Sequence, residues 1–136
     1  MLIDANVWSE LTRPKPELAV VQFLHENRDR LFLSIIVMAE LEFGIANAPD
    51  PTRRERLARF ADEVLTRCED RILMPDLETA AVWGRLKAEL KAKGKPIEDI
   101  DLLIAAQAIA AGMPLVTRNI SDMARTGVLI VNPWSP

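Results

Sequence analysis

Asp4 follows directly on the short apolar run Met1–Ile3, Glu40 sits inside the apolar stretch Ile35–Ala46, and Asp101 introduces the run Leu102–Ala106. Burying an unpaired carboxylate is costly, so an acid fixed inside or at the edge of such segments needs a donor, a cation or a metal beside it. Glu40 has Ile36, Val37, Phe43 and Gly44 at the positions a helix would bring next to it, with no base among them. Glu42, flanked in the same sense by Met38, Ala39, Ile45 and Ala46, is equally without a partner, and periodicity does not choose between the two. Asp99 and Asp101 leave a similar choice. Each acid also has an ordinary structural role open to it: Asp4 can cap the helical turn after it, Asp99 or Asp101 can cap its helix or favour its dipole, and Glu40 can pair with a distant arginine. Taken together, carboxylates from separate segments with no His or Cys beside them make the oxygen-rich site that Mg²⁺ or Mn²⁺ prefers. Packed without an ion, they would raise one another's pKa. Such a site suits phosphodiester hydrolysis, because the ion activates water and offsets charge building on the phosphate.

Other chemistries lose their residues. His25 is the only histidine and Cys68 the only cysteine, which takes most of the support from His-x-x-x-His zinc hydrolases and Ser-His-Asp triads and excludes Cys-rich zinc motifs and intrachain disulfides. The glycines at 44, 84, 94, 112 and 127 form neither a dinucleotide fingerprint nor a phosphate-cradling loop. With 136 residues, 49% hydrophobic and 27% charged, the sequence predicts one folded domain over 1–136 rather than a disordered chain. A net charge of −3 repels nucleic acid weakly, so such a partner has to be held by a local basic patch or by metal ions. The apolar runs are too short to span a bilayer, and no basic segment precedes the first of them; a cytoplasmic location is expected.

The elements that must position these acids are legible in outline. Strands are expected at Met1–Ile3, Leu31–Ser34, Arg71–Met74, Leu115–Thr117 and Val128–Val131. Helices are expected at Asn6–Leu11, Glu17–Asn27, Ile35–Ala46, Thr52–Glu69, Asp76–Lys93 and Ile100–Ala111. Short apolar strands alternating with helices predict an α/β fold, a three-layer α/β/α sandwich around a mainly parallel sheet. In such sheets ligands bind beyond the carboxyl ends of the strands. Asp4, Ser34 and Thr117, the last followed by Arg118 and Asn119, all stand at those ends.

The run Leu2-Ile3-Asp4-Ala5-Asn6-Val7, then Ser34 with Glu40-Leu41 and Gly44, then Asp101-Leu102-Leu103-Ile104-Ala105-Ala106 and Leu115-Val116-Thr117-Arg118-Asn119, resembles the PIN-domain ribonucleases, specifically the VapC-type toxins of toxin–antitoxin pairs. The likeness covers essentially the whole chain. It implies a PIN-like fold, a Mg²⁺- or Mn²⁺-dependent endoribonuclease acting on RNA, a homodimer, and a cognate VapB-type antitoxin. Carried over by position, it selects Glu40 over Glu42 and Asp101 over Asp99. Asp4, Glu40 and Asp101 become the metal and catalytic residues, with Asn6, Ser34, Thr117, Arg118 and Asn119 supporting them or the substrate. The sequence departs from the family in two places. Ala5 stands where Thr or Ser is common, and Asn119 where many members carry a fourth acid, which leaves Asp122 as the available carboxylate.

Arg53, Arg54, Arg56 and Arg59, or Lys87, Lys91, Lys93 and Lys95, are placed to steer RNA, with a solvated helix face as the plainer account. For Arg118, a salt bridge to a site carboxylate competes with substrate contact. Trp8, Trp83 and Trp134 are expected in packing, and His25 and Cys68 in structural roles. Two other functions fit parts of the pattern: an inactive PIN-like module that only binds RNA or protein, and a phosphoryl-transfer domain with Asp4 as nucleophile. The latter lacks a second acid at position 6 and a lysine at a later strand end.

Overall fold

The computed structural model describes residues 1–135. Five strands of two residues each alternate with helices: β1 (Leu2–Ile3), α1 (Ala5–Glu10), α2 (Leu18–Glu26), β2 (Leu33–Ser34), α3 (Ile35–Ala46), α4 (Pro51–Arg67), β3 (Ile72–Leu73), α5 (Leu77–Ala92), α6 (Asp99–Ala110), β4 (Leu115–Val116), α7 (Ile120–Met123) and β5 (Ile130–Val131). Every pairing is parallel. β1 and β5 flank β4, with Leu2 opposite Leu115 and Leu115 opposite Ile130; β2 pairs with β3 through Leu33 opposite Ile72. The two sheets are stitched together where the Phe32 amide donates to Met1 O (2.8 Å) and the Ile3 amide to Phe32 O (3.2 Å). The expected α/β architecture with a parallel central sheet and flanking helices is therefore present, and no helix among the described residues is long and apolar enough to cross a membrane.

Local chemistry sets the helix starts. Asp4, Asp50 and Asp76 cap α1, α4 and α5 through their side chains, Pro51 occupies the first position of α4, and Asp76 with Thr79 forms a reciprocal capping box. The strands are shorter than the apolar runs suggest because flanking residues such as Leu31 and Val128 bury their side chains without joining the sheet ladder. The core lies where β1, β2 and β4 meet Val7 and Trp8 of α1, Val37 of α3 and Ile104 and Ala108 of α6. A second cluster joins Val82, Leu86 and Leu90 of α5 to Leu102 and Ala106 of α6. That packing fixes the start of α6, and Asp101 with it, at the carboxyl edge of the sheet.

Candidate active site

Asp4 leaves β1 in extended backbone and opens α1, so it is both the helix cap that a structural reading predicts and a carboxylate at the sheet edge. It is 4% exposed. Oδ1 accepts from the Ala5 amide (2.7 Å), and Oδ2 accepts from the Thr117 hydroxyl (2.7 Å) and from Asn6 Nδ2 (3.1 Å). Burial pushes its pKa above the usual carboxylate range, against the pull of those three donors. Thr117, just beyond β4, is the hub of the arrangement: its buried hydroxyl also accepts from Asn6 Nδ2 (3.1 Å) and from the Asn119 amide (3.0 Å). Asn6 Oδ1 in turn accepts from the Arg118 amide (3.1 Å), which ties α1 to the β4 turn.

Glu40, midway along α3, is half-buried, and its Oε2 is buried with no hydrogen-bond partner. Burial, then the charges of Asp4, Asp101 and Glu98, push it up to about 7. Asp101, in the first turn of α6, is raised by burial and then by Asp4, Glu98 and Asp122. Three expected carboxylates from β1, α3 and α6 thus share one electrostatic neighbourhood, and none of them forms an ion pair among the described residues. Glu42 is exposed on the other side of α3, and Asp99 pairs with Lys87 (2.7 Å). Asn119 Nδ2 reaches both Asp122 Oδ2 (3.2 Å) and Asp101 Oδ2 (3.5 Å). Asp122 itself is bound by Arg125, whose other nitrogen donates to Lys95 O (2.8 Å).

The remaining expected residues divide. Ser34 ends β2 as expected, but its hydroxyl is spent on Gln107 and on capping α3 at the Ile36 amide (3.0 Å), not on the carboxylates. Arg118 makes no salt bridge to a site acid. Its guanidinium lies over the Trp134 ring, 5.3 Å from the centroid. Trp8 is fully buried, Trp83 packs under Lys87 at 4.7 Å, Cys68 is buried and His25 is exposed. Arg53, Arg54, Arg56 and Arg59 face solvent along α4. Arg53 also lines a cleft of about 410 Å³ that opens beside Glu40 and is bounded by Gly44, Asn47, Leu57 and Phe60.

Two residues escaped the sequence reading. Glu98 stands at the N-cap position of α6, without a side-chain capping bond, one helical turn before Asp101, and adds negative potential to Glu40 and Asp101; its spacing of three from Asp101 is the available signal. Gln107 gave no signal beyond being the one polar residue between Leu102 and Ala111. No three His, Cys, Asp or Glu side chains among the described residues form a ready-made metal-holding group. In kind, however, the donors fit a hard divalent cation: they are all oxygen, they repel one another, and one buried oxygen of Glu40 is orphaned.

The model for the PIN domain matches residues 1–129. The chain is 38% identical over 138 residues to the VapC ribonuclease Y4jK of Sinorhizobium fredii, covering 100% of this chain and 99% of that protein. Its fold superposes on the crystal structure of FitAcB from Neisseria gonorrhoeae with a TM-score of 0.91 at 32% identity, over 99% of both chains. It also superposes on VapBC2 from Rickettsia felis, solved bound to a DNA fragment from its promoter, with a TM-score of 0.83 at 27% identity over 96% of both chains. A matched domain spanning nearly the whole sequence, and relatives aligned end to end, mean that the chain belongs to the PIN-domain family, among its VapC-type ribonuclease toxins of toxin–antitoxin pairs.

Proposed function

We propose that this chain is a Mg²⁺- or Mn²⁺-dependent endoribonuclease, a single PIN-like domain over 1–136, in which Asp4, Glu40 and Asp101 hold the ion. The observation that carries the reading is Glu40 Oε2, a buried carboxylate oxygen with no partner, on a side chain whose pKa is raised by burial and by the neighbouring carboxylates Asp4, Asp101 and Glu98. Such an ion, when bound, activates water at neutral pH and neutralises charge developing on the scissile phosphate. The chain's own residues do the rest. Thr117, the Ala5 amide and Asn6 fix both oxygens of Asp4, so its orientation is set before substrate arrives. Asn119 bridges Asp101 to Asp122, and Asp122, neutralised by Arg125, serves as an outer acid that orients Asn119. Arg118, exposed just past Thr117, takes a flanking phosphate of the RNA.

The same reading includes a VapB-type antitoxin as partner, a cytoplasmic setting and a homodimer. An apolar stripe on α3 supports the dimer: Ile35, Ala39, Phe43 and Ala46 are exposed at helical spacing, Phe43 by 68%. Exposed Met74 and Leu77 follow β3, which pairs with the strand that leads into α3. The test is cleavage of a mixed RNA panel by antitoxin-free protein in Mn²⁺ or Mg²⁺ against EDTA, beside Asp4→Asn purified identically. Metal-dependent cleavage lost in the variant is expected. Cleavage that survives EDTA, or an Asp4→Asn protein as active as wild type, overturns the reading.

A further inference from the structure

Gln107 is 2% exposed and Ser34 is wholly buried, and their side chains are joined by a hydrogen bond in which the Ser34 hydroxyl donates to Gln107 Oε1. An amide in the middle of Ile104, Ala105, Ala106 and Ala108, all of them buried, costs free energy unless it is used. Only half of it is: Gln107 Nε2 has no partner. Packing alone would favour an apolar residue at this position, so what the retained bond connects matters.

It connects the two helices that carry Glu40 and Asp101. Ser34 is the cap of α3, and its Oγ also accepts from the Ile36 amide (3.0 Å), so the hydroxyl is locked to the first turn of that helix. Gln107 lies in the second half of α6. Glu40 is six residues beyond Ser34 along α3, and Asp101 is six residues before Gln107 along α6. Six residues of helix rise about 9 Å in either case. With the start of α3 pinned to the later part of α6, equal steps along the two helices in opposite chain directions bring Glu40 level with Asp101. Each of these acids feels the other's neighbourhood: Glu40 senses Asp101, and both sense Asp4 and Glu98. The other buried groups that α3 and α6 contribute to the core are aliphatic or small, among them Val37, Ala105 and Ala108, which fill volume but do not specify an axial register.

We propose that Gln107 is a positioning residue of the ribonuclease: through its bond to Ser34 it sets the sliding register of α3 against α6 and thereby the Glu40–Asp101 separation. The proposal rests on the reading of those two acids as the ion-holding pair. Its test uses the full chain and two measurements, Mn²⁺ binding by calorimetry without RNA and steady-state cleavage of an RNA substrate. Gln107→Leu and Ser34→Ala each lower Mn²⁺ affinity about tenfold, as loss of a supporting partner does elsewhere. The double variant loses no more than either single one, and Ser34→Thr, which keeps Oγ, stays near wild type. In a Glu40→Gln background, Gln107→Leu has no further effect on Mn²⁺ affinity. In cleavage, kcat falls while KM for RNA holds.

Wild-type Mn²⁺ affinity and kcat in Gln107→Leu overturn the proposal, as does a loss of affinity that persists undiminished in the Glu40→Gln background, because a general packing defect does not depend on Glu40. A wild-type protein that binds no Mn²⁺ sinks the metal reading instead. The register pin is then decided by the cleavage arm: a kcat loss shared non-additively by the two single variants, with KM unchanged, supports it, and additive losses or a rise in KM alone refute it.

Discussion

Thr117→Val removes one oxygen from the centre of the site while keeping the shape of the side chain. That oxygen is fully buried and takes part in three hydrogen bonds: it donates to Asp4 Oδ2 at 2.7 Å and accepts from Asn6 Nδ2 and the Asn119 amide at 3.1 and 3.0 Å. A hydrogen bond to a charged group contributes roughly 1.5–3 kcal/mol and a neutral one about 1 kcal/mol. Asn6 Nδ2 keeps its bond to Asp4, so part of the loss is recovered. The net destabilisation is about 2–3 kcal/mol, which for a domain of this size lowers the melting temperature by roughly 10 °C. Because the Thr117 donor works against burial on Asp4, its loss raises the Asp4 pKa further and frees the carboxylate to turn. Cleavage therefore slows by about 10–100-fold, the usual effect of losing a partner that orients an ion-holding group. Thermal melts by circular dichroism and a gel-based RNA cleavage assay in Mn²⁺ measure the two effects. Thr117→Ser is the control, since it keeps the hydroxyl and gives up a methyl group worth about 1 kcal/mol. If Thr117→Ser is as impaired as Thr117→Val, the methyl packing matters as much as the oxygen and the hydroxyl alone does not account for the site. If Thr117→Val melts and cleaves like wild type, the hub assigned to this hydroxyl is wrong.

Three further outcomes are expected. Glu10, buried at the end of α1, is pushed up by burial but held below its ordinary pKa on balance by the Glu17 amide, Arg13 and Arg118. A depressed carboxylate stabilises the fold above its unfolded pKa and ceases to as pH falls through the folded value, so Glu10→Gln lowers the melting temperature at pH 7 by an amount that shrinks towards zero in acid. A constant difference between pH 7 and pH 3 would contradict this. Arg125→Ala unties Asp122 from the Lys95–Pro96 segment that leads into Glu98; at roughly 1 kcal/mol for a partly exposed charged bond, amide exchange in Ile97–Asp101 accelerates about 5-fold while α5 is unchanged. Phe43→Asp puts a charge into the exposed α3 stripe, and light scattering gives the monomer mass where the parent protein gives twice that; an unchanged mass removes α3 from the interface.

Much of the site is legible because charge is conspicuous in apolar surroundings. Glu40 stands out in α3 for want of a base one turn away, and Asp4 and Thr117 stand out as polar groups at strand ends. What resisted reading was whatever depends on a partner distant in sequence. Ser34 lies at its strand end, yet its bond goes to a glutamine 73 residues on, hidden inside a helix whose composition reads as pure packing. The four-residue α7 is too short for any period to show, and the two-residue strands end earlier than their apolar runs because burial continues where sheet bonding does not. Glu98, two residues after Pro96, reads as connector, while the turn it begins carries it to the acidic edge.

The parallel order of the sheet bears on when in its synthesis this protein becomes able to cut RNA. No neighbouring strands here are joined by a local hairpin; β1 waits for β4, and Asp4 for a hydroxyl 113 residues later. A ribosome making the chain from its N-terminus holds, for most of that time, an α1 whose carboxylate has no Thr117, no Asn119 and no Asp101. A ribonuclease assembled this way carries its own delay. RNA near the ribosome is spared while the chain is still growing, and cleavage begins only once the fourth strand joins the sheet.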